Sequence, residues 1–191
     1  RFDDAERVYT DVQTALARAR SPHAAGFGEL ATVTVRVSQG RIAEYAPAAD
    51  MLVDAYGPAA AAVAAAALAA AGEHARAGAL LADPPPLRPD FYFSIFATLR
   101  AGAVTALRRR DLAEDLYAAL IPVRGQLAGV ASTSLALRPV AHTLAELASL
   151  LGRDAAVEQH LTEAVAVAER WNAPVWLADA RKALDAARGY G

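Results

Sequence analysis

At several places along this chain, a small apolar residue is followed four positions later by a large one. Positions i and i+4 lie on one face of an α-helix, so each such pair marks an apolar stripe. Ala77 and Ala113 stand 36 residues apart, close to the period of about 34 residues at which helix pairs repeat. The pattern therefore predicts stacked helix pairs that bury their stripes against one another. The pairs are Ala5–Tyr9, Ala77–Leu81, Ala113–Tyr117 and Val157–Leu161.

Glycines and prolines separate the apolar stretches and indicate where helices begin and end. The clearest linker is the proline run 83–86, with Pro89 close behind, and Gly125–Ser134 is a second, small and polar loop. We therefore predict an all-α fold, a helical-repeat solenoid of about ten helices. The expected helices are Asp3–Arg20, Ala24–Ser38, Arg41–Tyr56, Pro58–Ala71, Glu73–Leu81, Asp90–Leu107, Asp111–Leu120, Leu135–Leu151, Arg153–Trp171 and Val175–Arg188.

One helical-repeat domain is expected over residues 1–191. The sequence opens at Arg1 without a methionine and in the middle of the pattern, which suggests a fragment of a longer protein. A repeat array usually presents a surface instead of a catalytic centre, so recognition is the expected kind of function. The breaks divide the domain into four sub-units, 1–56, 57–83, 90–124 and 131–191.

Composition narrows the possible functions. Apolar residues make up 55% of the chain, with Ala and Leu in excess, and the net charge is −2. Such a balance does not attract a polyphosphate, so we expect no direct nucleic-acid binding. The absence of cysteine excludes disulfides, thiolate catalysis and cysteine metal sites. The longest apolar run, Ala59–Ala71, is shorter than the about 20 residues that span a bilayer, so we expect no membrane anchor and a cytoplasmic location.

Motifs that bind cofactors or metals are weak or missing. Gly26-Phe27-Gly28 is half of a dinucleotide fingerprint, but no strand precedes it and the third glycine is absent. No phosphate-binding GxxxxGK[ST] loop occurs, so no cofactor is expected. No two histidines are spaced for a shared helix face, and no nucleophile has a base at a recognisable spacing, so we predict neither a metal nor a catalytic site. The histidines are His23, His74, His142 and His160.

The segment Gly152–Leu184, GRDAAVEQHLTEAVAVAERWNAPVWLADARKAL, resembles the C-terminal repeats of large actinobacterial multidomain regulators. Those proteins join a nucleotide-binding ATPase module to tetratricopeptide-like repeats, often with a LuxR-type DNA-binding domain or a nucleotidyl cyclase domain. The resemblance implies a tetratricopeptide-like solenoid within a transcriptional or signalling regulator. Val157 departs from the alanine of such repeats, and the usual bulky residue near the start of each first helix is not evident. The resemblance continues upstream in Gly40–Gly57, Asp115–Gly129 and Ala136–Arg153.

One set of polar residues has the spacing to act together. Arg138, His142 and Glu146 follow at i, i+4 and i+8, which places them along one face of a predicted helix. In the resembled repeats, with Val157 at the small-residue position, His142, Glu146 and Ser149 would line a concave groove. We therefore predict a binding groove at Arg138, His142, Glu146 and Ser149. The corresponding positions of the two preceding repeats are Thr98, Gly102, Thr105 and Ala62, Ala66, Ala69.

Three hypotheses of function follow from the sequence. The favoured one is a non-enzymatic module that docks a protein or peptide partner, or a neighbouring domain of the same chain, within a regulator. The alternative is a sensor whose hollow holds a small-molecule effector and controls an attached output domain. An enzyme is the third. Trp171 and Trp176 flank the last turn and are expected to fix the closing helix.

Overall fold

The computed structural model describes residues 2–21 and 24–189, except for the side chains of residues 24 and 25. Ten α-helices and no β-strand form in these ranges, which confirms the predicted all-α class. Short 3₁₀ helices cover Ile42–Ala48, Pro58–Ala60, Ile121–Val123 and Val130–Ser132. The α-helices are α1 (Phe2–Arg18), α2 (Ala24–Ser38), α3 (Ala49–Tyr56), α4 (Ala61–Ala70), α5 (His74–Leu80), α6 (Phe93–Ala106), α7 (Arg110–Leu120), α8 (Val140–Leu151), α9 (Asp154–Arg170) and α10 (Pro174–Ala187).

Proline and loop contacts account for the main differences from the expected bounds. The helix expected from residue 41 is 3₁₀ around Pro47 and becomes α-helical only at Ala49, because proline lacks the N–H that continues an α-helix. Asp90 was expected to cap α6, but the helix begins later, at Phe93. The Asp90 carboxylate accepts a hydrogen bond from the Tyr92 N–H at 2.8 Å in the turn that leads into the helix. The expected break at Ser21-Pro22 falls partly outside the described residues.

Neighbouring helices in the sequence are also neighbours in space. From α3 to α10, nearly every helix packs on the next, while α4 also packs on α6, and α6 on α8. One large apolar core runs through these contacts, with Leu68, Ile95, Leu120, Leu144 and Leu147 almost completely buried in it. Two smaller clusters join α8 to α9 and α10. No helix within the described ranges combines the length and apolar character needed to cross a membrane.

Helix α4 is the most deeply buried element of the fold. Every residue from Ala61 to Ala69 is buried, and most of them are alanine. Alanine loses little conformational entropy in a helix, and its small side chain lets other helices approach closely. The alanine run therefore belongs to the protein core, packed by α3, α5 and α6.

The proline linker after α5 is fastened to the fold by an arginine. The Arg100 side chain, buried on α6, donates a hydrogen bond to the Pro85 carbonyl at 2.6 Å. Burial lowers the pKa of Arg100, because removing a guanidinium from water disfavours its charge. A charge-assisted bond to a backbone carbonyl offsets part of that cost. The linker is therefore an ordered segment that lies against α6.

The loop between α7 and α8, which the sequence suggested to be small and polar, buries several of its apolar residues. Leu127, Ala128 and Leu135 are each exposed by 6% or less. The Gly129 N–H donates to the Ser94 hydroxyl of α6 at 2.8 Å. Gly129 has a φ of +88°, which residues with a side chain rarely adopt. A Cβ at this position would also lie 2.5 Å from Ile95, so the loop requires glycine here.

The same loop also bonds to helices α1 and α9. The Tyr9 hydroxyl of α1 donates to the Ser134 carbonyl at 2.8 Å, across 125 positions of sequence. Arg170, at the end of α9, donates to the Gly125 carbonyl. Helix α1 itself has no buried residue and leaves Val8 53% exposed. The loop thus connects α1, α6 and α9, although these helices are far apart in the sequence.

Candidate functional site

Helix α8 and the residue pair before it bring together three of the four predicted site residues. His142 and Glu146 lie on α8, but Arg138 does not, which corrects the expectation that all three share one helix face. Arg138 precedes Pro139 in an extended segment, where its carbonyl accepts a hydrogen bond from the Ala128 N–H at 3.1 Å. Its long side chain nevertheless reaches along α8 to Glu146.

Arg138 and Glu146 form a bidentate ion pair. Nη1 of Arg138 donates to Oε1 of Glu146 at 2.6 Å, and Nη2 donates to Oε2. Nε of the same guanidinium donates to the Thr143 hydroxyl at 3.2 Å. Burial acts to raise the pKa of Glu146, but the charge and hydrogen bonds of Arg138, together with His142, hold that pKa below its usual range. The carboxylate is therefore ionised at neutral pH and fixed in place.

His142 lies beside this ion pair and is nearly enclosed. The residue is 8% exposed, and its Nδ1 is buried without a hydrogen-bond partner in the described part of the chain. Burial lowers the pKa of His142, and the Arg138 charge lowers it further, while Glu146 and Asp179 of α10 oppose both effects. The imidazole is consequently neutral at physiological pH. We use the name α8 polar cluster for Arg138, His142, Thr143 and Glu146.

The fourth predicted residue, Ser149, stands apart from the α8 polar cluster. It is exposed near the end of α8 and makes no contact with Arg138 that the structure records. Glu146 is the cluster residue with the most accessible side chain, 37% exposed against 19% for Arg138. Any molecule that touches the cluster therefore meets the Glu146 side chain first.

The groove positions predicted on α4 and α6 are mostly covered. Ala62, Ala66 and Ala69 are exposed by 9% or less, and Thr98 by 5%. The Thr98 hydroxyl is buried without a hydrogen-bond partner among the described residues. These four positions belong to the core and do not line an open groove. The predicted groove positions that keep accessible surface are Gly102, Thr105, Glu146 and Ser149, in the C-terminal halves of α6 and α8.

A second polar contact, which the sequence did not reveal as a pair, links α7 to α9. The Tyr117 hydroxyl lies 2.7 Å from Nε2 of His160, and the two rings meet edge to face. The Arg153 guanidinium lies over the Tyr117 ring at 4.8 Å and also binds Glu114 at 2.6 Å. Burial lowers the pKa of His160. The only signal in the sequence was the recurring Tyr of the Ala-x3-Tyr pairs.

The described residues contain no group of three His, Asp or Glu side chains placed to hold a metal ion. His23 lies outside those residues. The half fingerprint Gly26-Phe27-Gly28 lies within helix α2, where Phe27 packs edge to face on Tyr9 at 6.5 Å. A dinucleotide site needs such glycines in a turn after a strand, so this stretch lacks the required local structure.

Two cavities open beside helices α1 and α2. The first, about 330 Å³, lies between α1, α2 and the 125–139 loop. Trp171 lines this cavity with Phe2 and is 46% exposed. Packing against α10, the role expected for Trp171, would therefore use only part of this side chain, because nearly half of it remains exposed. The second cavity lies between α1, α2 and α3.

Comparison with family models, curated proteins and solved structures finds no match to this chain. Its function must therefore be argued from its own residues.

Proposed function

We propose that this chain is a non-enzymatic helical-repeat module of a cytoplasmic multidomain regulator, and that it docks a peptide segment at the α8 polar cluster. The observation that carries the docking site is the buried, unpartnered Nδ1 of His142 beside the partly exposed Glu146 side chain. A buried polar atom without a partner costs free energy, about 1–3 kcal/mol. A bound peptide that displaces the side chains covering Nδ1 and supplies a hydrogen bond there would recover part of that cost.

The packing order supports a tetratricopeptide-like repeat arrangement. Helices α4, α6 and α8 contact one another in turn, while α5 packs on α4, and α7 and α9 pack on α8. In a solenoid of helix pairs, the first helices of successive repeats contact each other in this way. The Tyr117–His160 bond joins the second helices of two successive pairs. We therefore assign α4, α6 and α8 as first helices and α5, α7 and α9 as second helices.

The chemistry of the cluster indicates what the peptide offers. The Glu146 carboxylate accepts hydrogen bonds, and the neutral His142 ring presents one donor and one acceptor nitrogen. Arg138 already neutralises Glu146, so the cluster has little net charge. A segment with backbone amides or neutral polar side chains fits this face better than a strongly charged one.

A selection experiment tests the docking site. Random peptides displayed on phage are selected against the purified chain, and the Kd of the recovered peptide is measured by fluorescence anisotropy. We expect the double variant His142→Ala, Glu146→Ala to bind about tenfold more weakly or worse, as for central interface residues. The matched control is Glu158→Ala on α9, which removes an exposed carboxylate bound to Arg188 and should leave Kd unchanged.

Recovery of no peptide, or equal binding by the double variant, would overturn the docking site. Circular dichroism of each variant checks that the helices are intact.

The assignment to a regulator depends on the resemblance of Gly152–Leu184 and the upstream stretches to such proteins. The complete coding sequence around this segment tests it directly. A nucleotide-binding ATPase module on one side and a helix-turn-helix domain on the other would support the assignment. A coding sequence that holds the helical repeats alone would contradict it.

A further inference from the structure

The cavity between α1, α2 and α3 has the size of a small-molecule site. Its volume is about 410 Å³, within the range of about 300–1,000 Å³ common for ligand pockets. We call it the α1–α3 cavity. The lining residues are Tyr9, Thr10, Gln13, Gly28, Glu29, Thr32, Val33, Tyr45, Met51, Leu52, Ala55 and Tyr56.

This cavity has an apolar floor and an open mouth on α3. Val33 is 3% exposed and forms part of the core, and Leu52 is half-buried against it. Met51 and Tyr56 are exposed by 65% and 40%, so they lie at the rim. A ligand would enter beside α3 and bury an apolar body against α2.

Glu29 gives the cavity its charge. It is the only described lining residue with a formal charge, and its Oε2 is buried without a hydrogen-bond partner among the described residues. Arg36, whose charge influences the nearby Tyr45, is itself bound to Glu6 at 2.9 Å. The cavity therefore carries a carboxylate that lacks a partner for one buried oxygen.

Three tyrosines line the cavity together with Glu29, and two of them, Tyr45 and Tyr56, are close enough to feel its charge. Burial raises the pKa of Tyr9, Tyr45 and Tyr56. A hydrogen bond to the Glu29 carboxylate raises the pKa of Tyr56 further. For Tyr45, the Arg36 charge acts against burial, while Glu6, Glu44 and Glu29 act with it. All three phenols stay neutral at physiological pH and add no negative charge. Their ring faces carry negative electrostatic potential, which attracts cations.

We propose that the α1–α3 cavity binds a small organic ammonium ion, a primary or secondary amine with an apolar body. The ammonium group pairs with the Glu29 carboxylate as that side chain turns toward the cavity, and the rings of Tyr45 and Tyr56 lie near its charge. Val33, Leu52 and Ala55 contact the apolar body. A quaternary ammonium ion binds more weakly, because it has no N–H to donate to that carboxylate. This site is separate from the α8 polar cluster and does not depend on the proposed docking function.

Calorimetric titration of the whole chain with phenethylammonium tests the proposal. We expect saturable binding at one site, and about tenfold weaker binding or more in Glu29→Gln, which keeps the shape of the side chain but removes its charge. The matched control is Glu73→Gln, an exposed carboxylate bound to Arg76 on α5. That variant should bind phenethylammonium as the unmodified chain does.

Two further measurements distinguish recognition of the ammonium charge from recognition of the ligand's shape. The neutral analogue 2-phenylethanol should bind at least about tenfold more weakly, and the trimethylated quaternary analogue should fall between the two. Ala55→Trp, at an exposed position of the lining, should block the mouth and abolish binding even if Glu29→Gln fails to fold.

Absence of binding at millimolar phenethylammonium would overturn the proposal. Equal affinity for the amine and the alcohol, or unchanged affinity in both Glu29→Gln and Ala55→Trp, would also overturn it. None of these outcomes bears on the peptide site at α8, whose variants leave α1, α2 and α3 untouched.

Discussion

Most residues of helices α4 and α8 are buried, yet the two helices are built from different residues. Helix α4 is nearly all alanine, and Ala61–Ala69 is buried without a polar side chain. Helix α8 fills its core side with Leu144 and Leu147 and carries His142 and Thr143 among its buried residues. Helix α4 thus shows that a mostly buried helix of this fold can be built without polar side chains. The polar groups of α8 are not needed for packing, and this is why we connect them with recognition.

The largest effect should come from the core side of α8. Leu144→Ala removes a side chain with 0% exposure and should lower the free energy of unfolding by about 3 kcal/mol, since the cavity it leaves cannot fully collapse. Urea denaturation followed by circular dichroism measures this loss. Leu144→Met is the control and should cost less than about 1.5 kcal/mol. A loss below 1 kcal/mol in Leu144→Ala would mean that α8 is not a core helix.

The next effect tests the close packing of α4. Ala65→Leu adds three carbon atoms at a position with 0% exposure and should cost about 2 kcal/mol through overpacking. The same substitution at Ala70, the exposed last residue of α4, should change stability by less than about 0.5 kcal/mol. Thermal melting of both variants compares them. Equal melting temperatures would show that α4 does not need small side chains.

A smaller effect is expected from the ion pair of α8. Arg138→Ala leaves the partly buried Glu146 carboxylate without its bidentate partner and should cost about 1–2 kcal/mol, between the values for exposed and buried pairs. Arg181→Ala breaks the exposed pair with Glu169 and should cost less than about 1 kcal/mol. Urea midpoints at fixed salt distinguish them. A similar loss in both variants would remove the distinction between this cluster and an ordinary surface pair.

The smallest effect concerns pH. The pKa of His142 is lowered by burial and by Arg138, so between its ordinary and folded-state pKa the unfolded chain binds a proton that the folded chain does not. The contribution of His142 to the free energy of unfolding is therefore fully present above the ordinary histidine pKa and is lost as the pH falls below it. His142→Leu should flatten this fall between about pH 7.5 and 5.5 and raise stability by about 1 kcal/mol or less.

Urea unfolding at several pH values measures that slope. His160 contributes in the same direction, so a residual slope is expected in His142→Leu. His74→Leu, at an exposed position, serves as the control and should keep the full slope. An unchanged slope in His142→Leu would mean that this imidazole titrates as it does in water.

Much of the helical framework could be predicted from local signals. Glycine and proline positions located the breaks around Gly57, Gly72 and Gly152, where the backbone φ is positive. The start of α8 could not be located, because Arg138 continues the i, i+4 spacing of the helix while its backbone bonds to Ala128. Side-chain spacing does not reveal such a competing backbone bond. Arg138 was thus correctly placed beside Glu146 for an incorrect reason.

The contacts that sequence analysis missed all join distant parts of the chain. Nothing near Ser134 indicates that Tyr9 will bond to it, and the polar composition of the loop concealed the burial of Leu127 and Leu135. The α1–α3 cavity was missed for the same reason, since Glu29 and the tyrosines that line it come from four elements. Helical periodicity describes one element at a time, so it cannot predict a site shared among several.

The bond from Tyr9 to the 125–139 loop limits how this protein could change in evolution. An array whose helices touch only their neighbours can gain or lose a helix pair and keep its other contacts. Here α1 must reach Ser134, so an inserted or deleted pair between them would separate the two ends of that bond. A change in the number of helices between α1 and the loop would therefore cost this contact, which a chain with neighbour contacts alone would not lose.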